Sequence, residues 1–147
     1  MKYDLIFYIS KKTSYCEKAL RRALTKIGGE PHRITGATSP TELGAQVSHS
    51  LSICPMAVII GGFGSDEDNN LATVLSRVFS NSTLNLDNMR RLSSESGEAG
   101  YIIRYKSQIL LALPDSPEDI SGMLTDDLLS YIGSKLPSEA NEPSPCP

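Results

Sequence analysis

Residues 56–70, MAVIIGGFGSDEDNN, pass from five apolar side chains into glycines at 61, 62 and 64 and then into three consecutive acidic residues. The apolar run Met56–Ile60 shows no alternation with polar residues, as expected of a strand covered on both faces. Glycine directly after such a strand serves either a tight turn that needs positive φ or a close approach of the backbone to a ligand. Asp66, Glu67 and Asp68 then fit two roles. They complement the dipole at the start of the next helix, or they belong to a ligand loop at the carboxyl end of the strand, where open α/β sheets bind anions. No Gly-Lys-Ser/Thr follows, which excludes a Walker loop, and the G-x-G-x-x-G spacing of a dinucleotide fingerprint after the first strand is missing.

On the amino-terminal side, Tyr3–Ile9 is another nearly continuous apolar run and is expected to be the first strand. Ser14-x-x-Glu17 has the form of a capping box. Cys16, Ala19, Leu20, Ala23, Leu24 and Ile27 then recur at helical spacing until Gly28-Gly29 supplies a stop. A short strand is expected near His32–Thr35. In Ser39-Pro40-Thr41-Glu42 the serine caps a second helix, the proline takes its first position and the glutamate closes another box. Leu43, Val47 and Leu51 form the apolar stripe of that helix, and Leu71, Val74, Leu75, Val78 and Phe79 predict a third. Strand and helix alternate, which predicts a mainly parallel sheet with helices on both faces. Residues 81–98 are polar and are expected to hold a loop and a short helix around Leu84, Leu86 and Met89. Tyr101–Arg104 and Gln108–Leu113 predict a late β-hairpin, followed by a turn and helices over PDSPEDISGML and Asp126–Leu136.

The chain has 147 residues, which suits one domain, with 39% hydrophobic and 21% charged residues. Its net charge of −3 offers no general field for nucleic acid or an anionic membrane surface. No apolar run approaches the ~20 residues of a membrane span, and MKYDLIFYIS carries an aspartate where a secretory leader needs an apolar core. Three cysteines, Cys16, Cys54 and Cys146, form no CxxC and leave an odd count, so the expected compartment is the reducing cytoplasm. Cys16 and Cys54 are expected to be small core hydrophobes. His32 and His49 are too far apart for a local metal pair and are expected at the surface or partly buried.

The order ALTKIGGEPHRIT (residues 23–35), SPTEL (39–43), VIIGGFGSDEDNN (58–70) and GEAGYIIRYKSQILLALPDSPEDI (97–120) resembles the MoaB/Mog molybdopterin-binding domain. It is most similar to the form found in competence/damage-inducible (CinA-type) proteins. The resemblance spans residues 1–136 and rests on a G-G-x-G loop paired with a later glycine–strand–turn–strand–LP-x-x-P segment. It implies a three-layer α/β/α sandwich, a mainly parallel sheet with a late β-hairpin, and a homo-oligomer, often a trimer. Enzymatic members adenylylate molybdopterin with ATP and magnesium or cleave related pyrophosphate bonds. Carried over residue by residue, the ligand-binding positions fall on Gly61, Gly62, Gly64, Ser65 and Asp66 and on Pro114, Asp115, Ser116 and Pro117. The catalytic positions fall on Asp68 and Asn69, with Asp68 the magnesium ligand.

Departures from the family pattern cluster at this same place. Ile60 stands where Thr or Ser usually precedes the double glycine, Ser65 replaces a proline, and Asn69 replaces an aspartate that would suit a hard cation. Asp115 replaces a glycine in the second loop, and ISKKTSY follows the first strand where the family has G-D-E. An anionic phosphate beside Asp66, Glu67, Asp68 and Asp115 would meet about 4 kcal/mol of repulsion per unpaired contact at ~4 Å and an effective dielectric near 20. Two functions follow. The chain binds a molybdopterin or nucleotide-like ligand with weak or no catalysis, or it is a non-catalytic descendant that serves as an interaction or regulatory module. An unrelated α/β enzyme using Asp66, Asp68 and Asp115 stands behind both. The segment PSEANEPSPCP, residues 137–147, lacks apolar periodicity and is expected to be a disordered tail. Truncation after Leu136 should therefore move the melting temperature by no more than a few degrees in a thermal scan.

Overall fold

The computed structural model describes residues 1–11, 13–61, 89–93, 99–105 and 108–135. Among these residues six strands form one sheet: β1 (Lys2–Tyr8), β2 (Glu30–Ala37), β3 (Met56–Gly61), β4 (Met89–Ser93), β5 (Ala99–Tyr105) and β6 (Gln108–Pro114). Their spatial order is β2-β1-β3-β6-β5-β4. The contacts β1·β2, β1·β3 and β3·β6 are parallel, and β5 runs antiparallel to both β6 and β4. Four helices are described: α1 (Thr13–Thr25), α2 (Pro40–Ile53), α3 (Pro117–Met123) and α4 (Asp126–Lys135).

Side-chain parity divides the sheet into two apolar layers. Tyr3 and Leu5 of β1, Val58 and Ile60 of β3, and Ile109, Leu111 and Leu113 of β6 pack with residues of α1, α3 and α4. Ile6 and Tyr8, Ala57 and Ile59, and Leu110 and Ala112 face the other way, onto Leu43 and Val47 of α2. The result is the expected three-layer α/β/α arrangement with a late hairpin, β5–β6. All six residues of β3 are buried, so its unbroken apolar sequence is the consequence of helices on both faces.

Helix ends follow local chemistry. Gly28 has φ +76. Its amide donates to Thr25 O at 3.0 Å while that of Gly29 donates to Leu24 O at 2.8 Å, the paired bonds of a Schellman stop. Ser39 caps α2 by accepting from the Glu42 amide at 3.2 Å, and Glu42 reaches back one residue further than a standard box, to the Thr38 amide at 2.8 Å. Gly100 is pressed on both sides. A Cβ there would meet Ala112 O and Met123 Sδ, each at 2.9 Å, so the glycine lets α3 settle on β5.

Four expectations change. Ile9 is not the end of the first strand; it leaves the sheet at φ 50 and is exposed. Ser14 lies inside α1, which begins at Thr13, and Glu17 pairs with Arg21 one turn on, so the first capping box is not formed by these two residues. The strand around His32–Thr35 extends over Glu30–Ala37. Met89, assigned to a helical stretch, opens β4, in which Leu92 alone is buried; a five-residue edge strand with one buried position leaves no periodicity to read. The helix expected over Leu71–Phe79 and the tail from Pro137 lie outside the described residues.

Tyr3 carries its phenol into the α1-side core, and burial raises its pKa above the ordinary 10.0, opposed by the nearby Arg21 guanidinium and assisted by Glu17. The unfolded phenol loses its proton near pH 10 while the folded one keeps it. Above that pH the native state binds more protons, so stability falls as pH rises. Tyr3→Phe should flatten this alkaline decline, measured as the shift of urea midpoints between pH 9 and 11.

Candidate functional site

The carboxyl ends of β1, β3 and β6 lie side by side because parallel pairing fixes their register. Gly61 sits between Tyr8 of β1 and Pro114 of β6. Gly61, the last residue of β3, thus stands directly beside Pro114, the last residue of β6. Of the first loop only Gly61 is described; Gly62, Gly64, Ser65, Asp66, Asp68 and Asn69 lie outside the described residues. Ile60 projects into the α1-side core and is fully buried. A hydroxyl there would face apolar neighbours, so its replacement by isoleucine belongs to the core.

Asp115 has the most informative surroundings. Its Oδ1 accepts from the Ser10 hydroxyl at 2.6 Å and from the Cys16 thiol at 3.5 Å, and its Oδ2 accepts from the Lys11 amide at 2.8 Å. The carboxylate therefore ties the loop after β1 to the loop after β6, across the end of β3. Ile9 makes this closure. At φ 50 it occupies a region that a β-branched residue enters at a cost of roughly 1–3 kcal/mol, and its amide is anchored to Ala37 O at 3.2 Å. The turn delivers the Ser10 hydroxyl and Lys11 amide to Asp115. Cys16, expected to be a core hydrophobe, is buried and also spends its thiol on this carboxylate.

Beyond Asp115 the chain enters α3. Ser116 caps it by accepting from the Asp119 amide at 3.4 Å, and Pro117 occupies the first turn. Tyr15, Lys18, Ala19 and Arg22 of α1 and Pro117, Glu118 and Ser121 of α3 line an open groove of about 320 Å³.

A second cluster lies at the opposite, amino end of the strands. Asp4 of β1 is 1% exposed, and its Oδ1 lies 2.9 Å from His32 Nδ1 of β2 and 3.7 Å from the Cys54 thiol at the end of α2. Neither Asp4 nor its company was anticipated. The residues come from sequence positions 28 and 50 apart, and only the parallel pairing of β1 with β2 and β3 brings them together. The one visible signal was the aspartate inside an otherwise apolar strand.

No family model and no curated protein matches the chain. Among solved structures it is similar to the protein CinA, of unknown function, from Thermoplasma acidophilum, with a TM-score of 0.71 at 13% identity over 90% of this chain and 99% of that one. It is similar to molybdenum cofactor biosynthesis protein B, with a TM-score of 0.65 at 10% identity over 92% of both chains. It is similar as well to a molybdopterin biosynthesis protein from Mycobacterium abscessus, with a TM-score of 0.61 at 14% identity over 90% and 94%. At such identities the likeness shows the fold, which is MoaB/Mog-like.

If Asp115 holds the two loops together, Asp115→Ala should lower stability by about 1–3 kcal/mol, the range for leaving hydrogen-bonded partners unmade. Combined with Ser10→Ala in urea unfolding, the two losses should fall short of additive, because both remove the same bond.

Proposed function

We propose that the chain is a MoaB/Mog-fold domain that binds a molybdopterin- or nucleotide-like anion at the carboxyl ends of β1, β3 and β6, and that it transforms this ligand weakly or not at all. The Asp115 latch carries the reading. Standing free in the second loop, that carboxylate would repel a phosphate. Turned onto a hydroxyl, an amide and a thiol, its charge is spread over protein donors and the second loop remains compatible with an anion. The names of the structurally similar molybdopterin and molybdenum cofactor biosynthesis proteins support the class of ligand.

The same latch argues against ordinary catalysis. Both Asp115 oxygens accept from protein groups, so this residue does not fit as a magnesium ligand, and Asp68 lies outside the described residues. Asn69 adds no charge for a hard cation, and Ile60 is committed to the core. Catalysis by the family route would need groups that these positions no longer supply.

Isothermal titration of the full chain with ATP, with and without magnesium, and with molybdopterin tests the reading. Saturable heat at micromolar to sub-millimolar ligand is expected, with adenylyl transfer well below the roughly 1 s⁻¹ that marks the lower end of ordinary enzymes. Absence of heat at millimolar concentrations of both ligands would favour an interaction module on the same fold. Turnover at an ordinary rate would show that the departures are tolerated within a working active site.

A further inference from the structure

We infer that Asp4, His32 and Cys54 form a binding site for a borderline-soft divalent transition metal ion, zinc first among them, at the amino end of the sheet. The site is independent of the ligand end. Asp4 pairs with Ala57 near the start of β3, whereas Gly61, four residues on, marks the other end, a separation of about 13 Å at ~3.3 Å per residue.

Three different donors converge here: a carboxylate oxygen, an imidazole nitrogen and a thiol sulfur, all within 4.8 Å of one another. A tetrahedral ion with Zn–O and Zn–N near 2.0–2.1 Å and Zn–S near 2.3 Å sets its donor atoms about 3.3–3.6 Å apart. The observed 2.9 Å from Asp4 Oδ1 to His32 Nδ1 and 3.7 Å from Asp4 Oδ1 to Cys54 Sγ bracket that spacing, so small side-chain adjustments suffice. Imidazole with thiolate selects zinc, cobalt or copper over magnesium and calcium.

The electrostatics point the same way. Asp4 is buried; its Oδ2 has no hydrogen-bond partner and forms an ion pair with Arg33 Nε at 3.7 Å. The Arg33 guanidinium thus faces Oδ2, while Oδ1, turned toward the imidazole nitrogen and the thiol, is the oxygen placed to meet a divalent ion. Access is available because the His32 side chain is 40% exposed while Asp4 and Cys54 are buried behind it. On binding, the Cys54 thiol gives its proton to solvent and its sulfur electron pair to the metal. His32 donates through Nδ1 and keeps its proton on Nε2. Three protein ligands leave the fourth position to water, an open rather than a closed site.

The test uses the untagged full chain, reduced and stripped by chelator, then titrated with Co²⁺ and Zn²⁺. The expected result is one Co²⁺ per chain, with a thiolate-to-cobalt charge-transfer band and intense visible bands of tetrahedral cobalt, displaced by Zn²⁺. His32→Ala, at an exposed position, should keep its circular dichroism spectrum and weaken binding by at least about 100-fold, beyond the 10–100-fold typical of losing an outer-shell partner. Cys54→Ser should abolish the charge-transfer band, while Cys16→Ser and Cys146→Ser retain it. Failure of the parent to take up Co²⁺ or Zn²⁺ at high micromolar concentration would overturn the inference. Unchanged affinity in folded His32→Ala, or loss of the band with Cys16 or Cys146 instead of Cys54, would also overturn it.

Discussion

Both ends of the described sheet are positioned by the pairing of β3 with β1 on one side and β6 on the other, and of β1 with β2. Six consecutive buried residues, Met56–Gly61, leave that strand no alternative location. A one-residue slip against either neighbour would exchange the side chains meant for α1 with those meant for α2. Because the side chains of Val58, Ile59 and Ile60 contribute roughly 1.5–3 kcal/mol each on burial, the register is specified by several kcal/mol. Parallel pairing then lines up strand ends without any local instruction. Tyr8, Gly61 and Pro114 share one edge, and Asp4 meets His32 and Cys54 at the other.

Once the ends are aligned, the loops can diverge while the scaffold stays. A glycine in the loop after β6 would let the backbone itself approach a ligand. Asp115 instead gives that loop an acceptor, and the loop after β1 supplies the donors: Ser10, Lys11 and, from the first turns of α1, Cys16. Asp115 and the segment ISKKTSY are thus joined by direct bonds. Each seen separately is a departure from the MoaB/Mog pattern; together they form a closed set of bonds. The exposed Ile9 at positive φ is the local strain that this closure sustains.

The sandwich was legible because its signals are repeated. The nearly continuous apolar run at β1 and the unbroken one at β3, the 3.6-residue periodicity of α1 and α2, Gly28-Gly29 and Ser39-Pro40 all point to the same architecture. What stayed hidden depends on a single position or on long-range pairing. β4 buries one residue of five and offers no pattern. Asp115 looked like a charge aimed at a ligand because nothing in the sequence says that Ser10 lies 2.6 Å away. Cys54 and His32 looked unremarkable because their partner, Asp4, is brought to them by strand order alone.

Asp4 and Asp115 show how one physical problem receives two solutions at opposite ends of the sheet. Asp115 meets a backbone amide, a hydroxyl and a thiol, neutral donors that satisfy both oxygens and lock two loops. Asp4 is more deeply enclosed; its Oδ2 has no hydrogen bond but is ion-paired with Arg33, and its Oδ1 faces the exposed His32 imidazole. If Asp4 served only packing, an apolar residue would suit the α2 face of β1 better, as Ile6 does two positions later. A carboxylate there, between a nitrogen and a sulfur donor, serves charged partners: Arg33 at Oδ2 and, in the proposed site, a metal ion at Oδ1. Asp115, with its donors supplied by the chain itself, requires none.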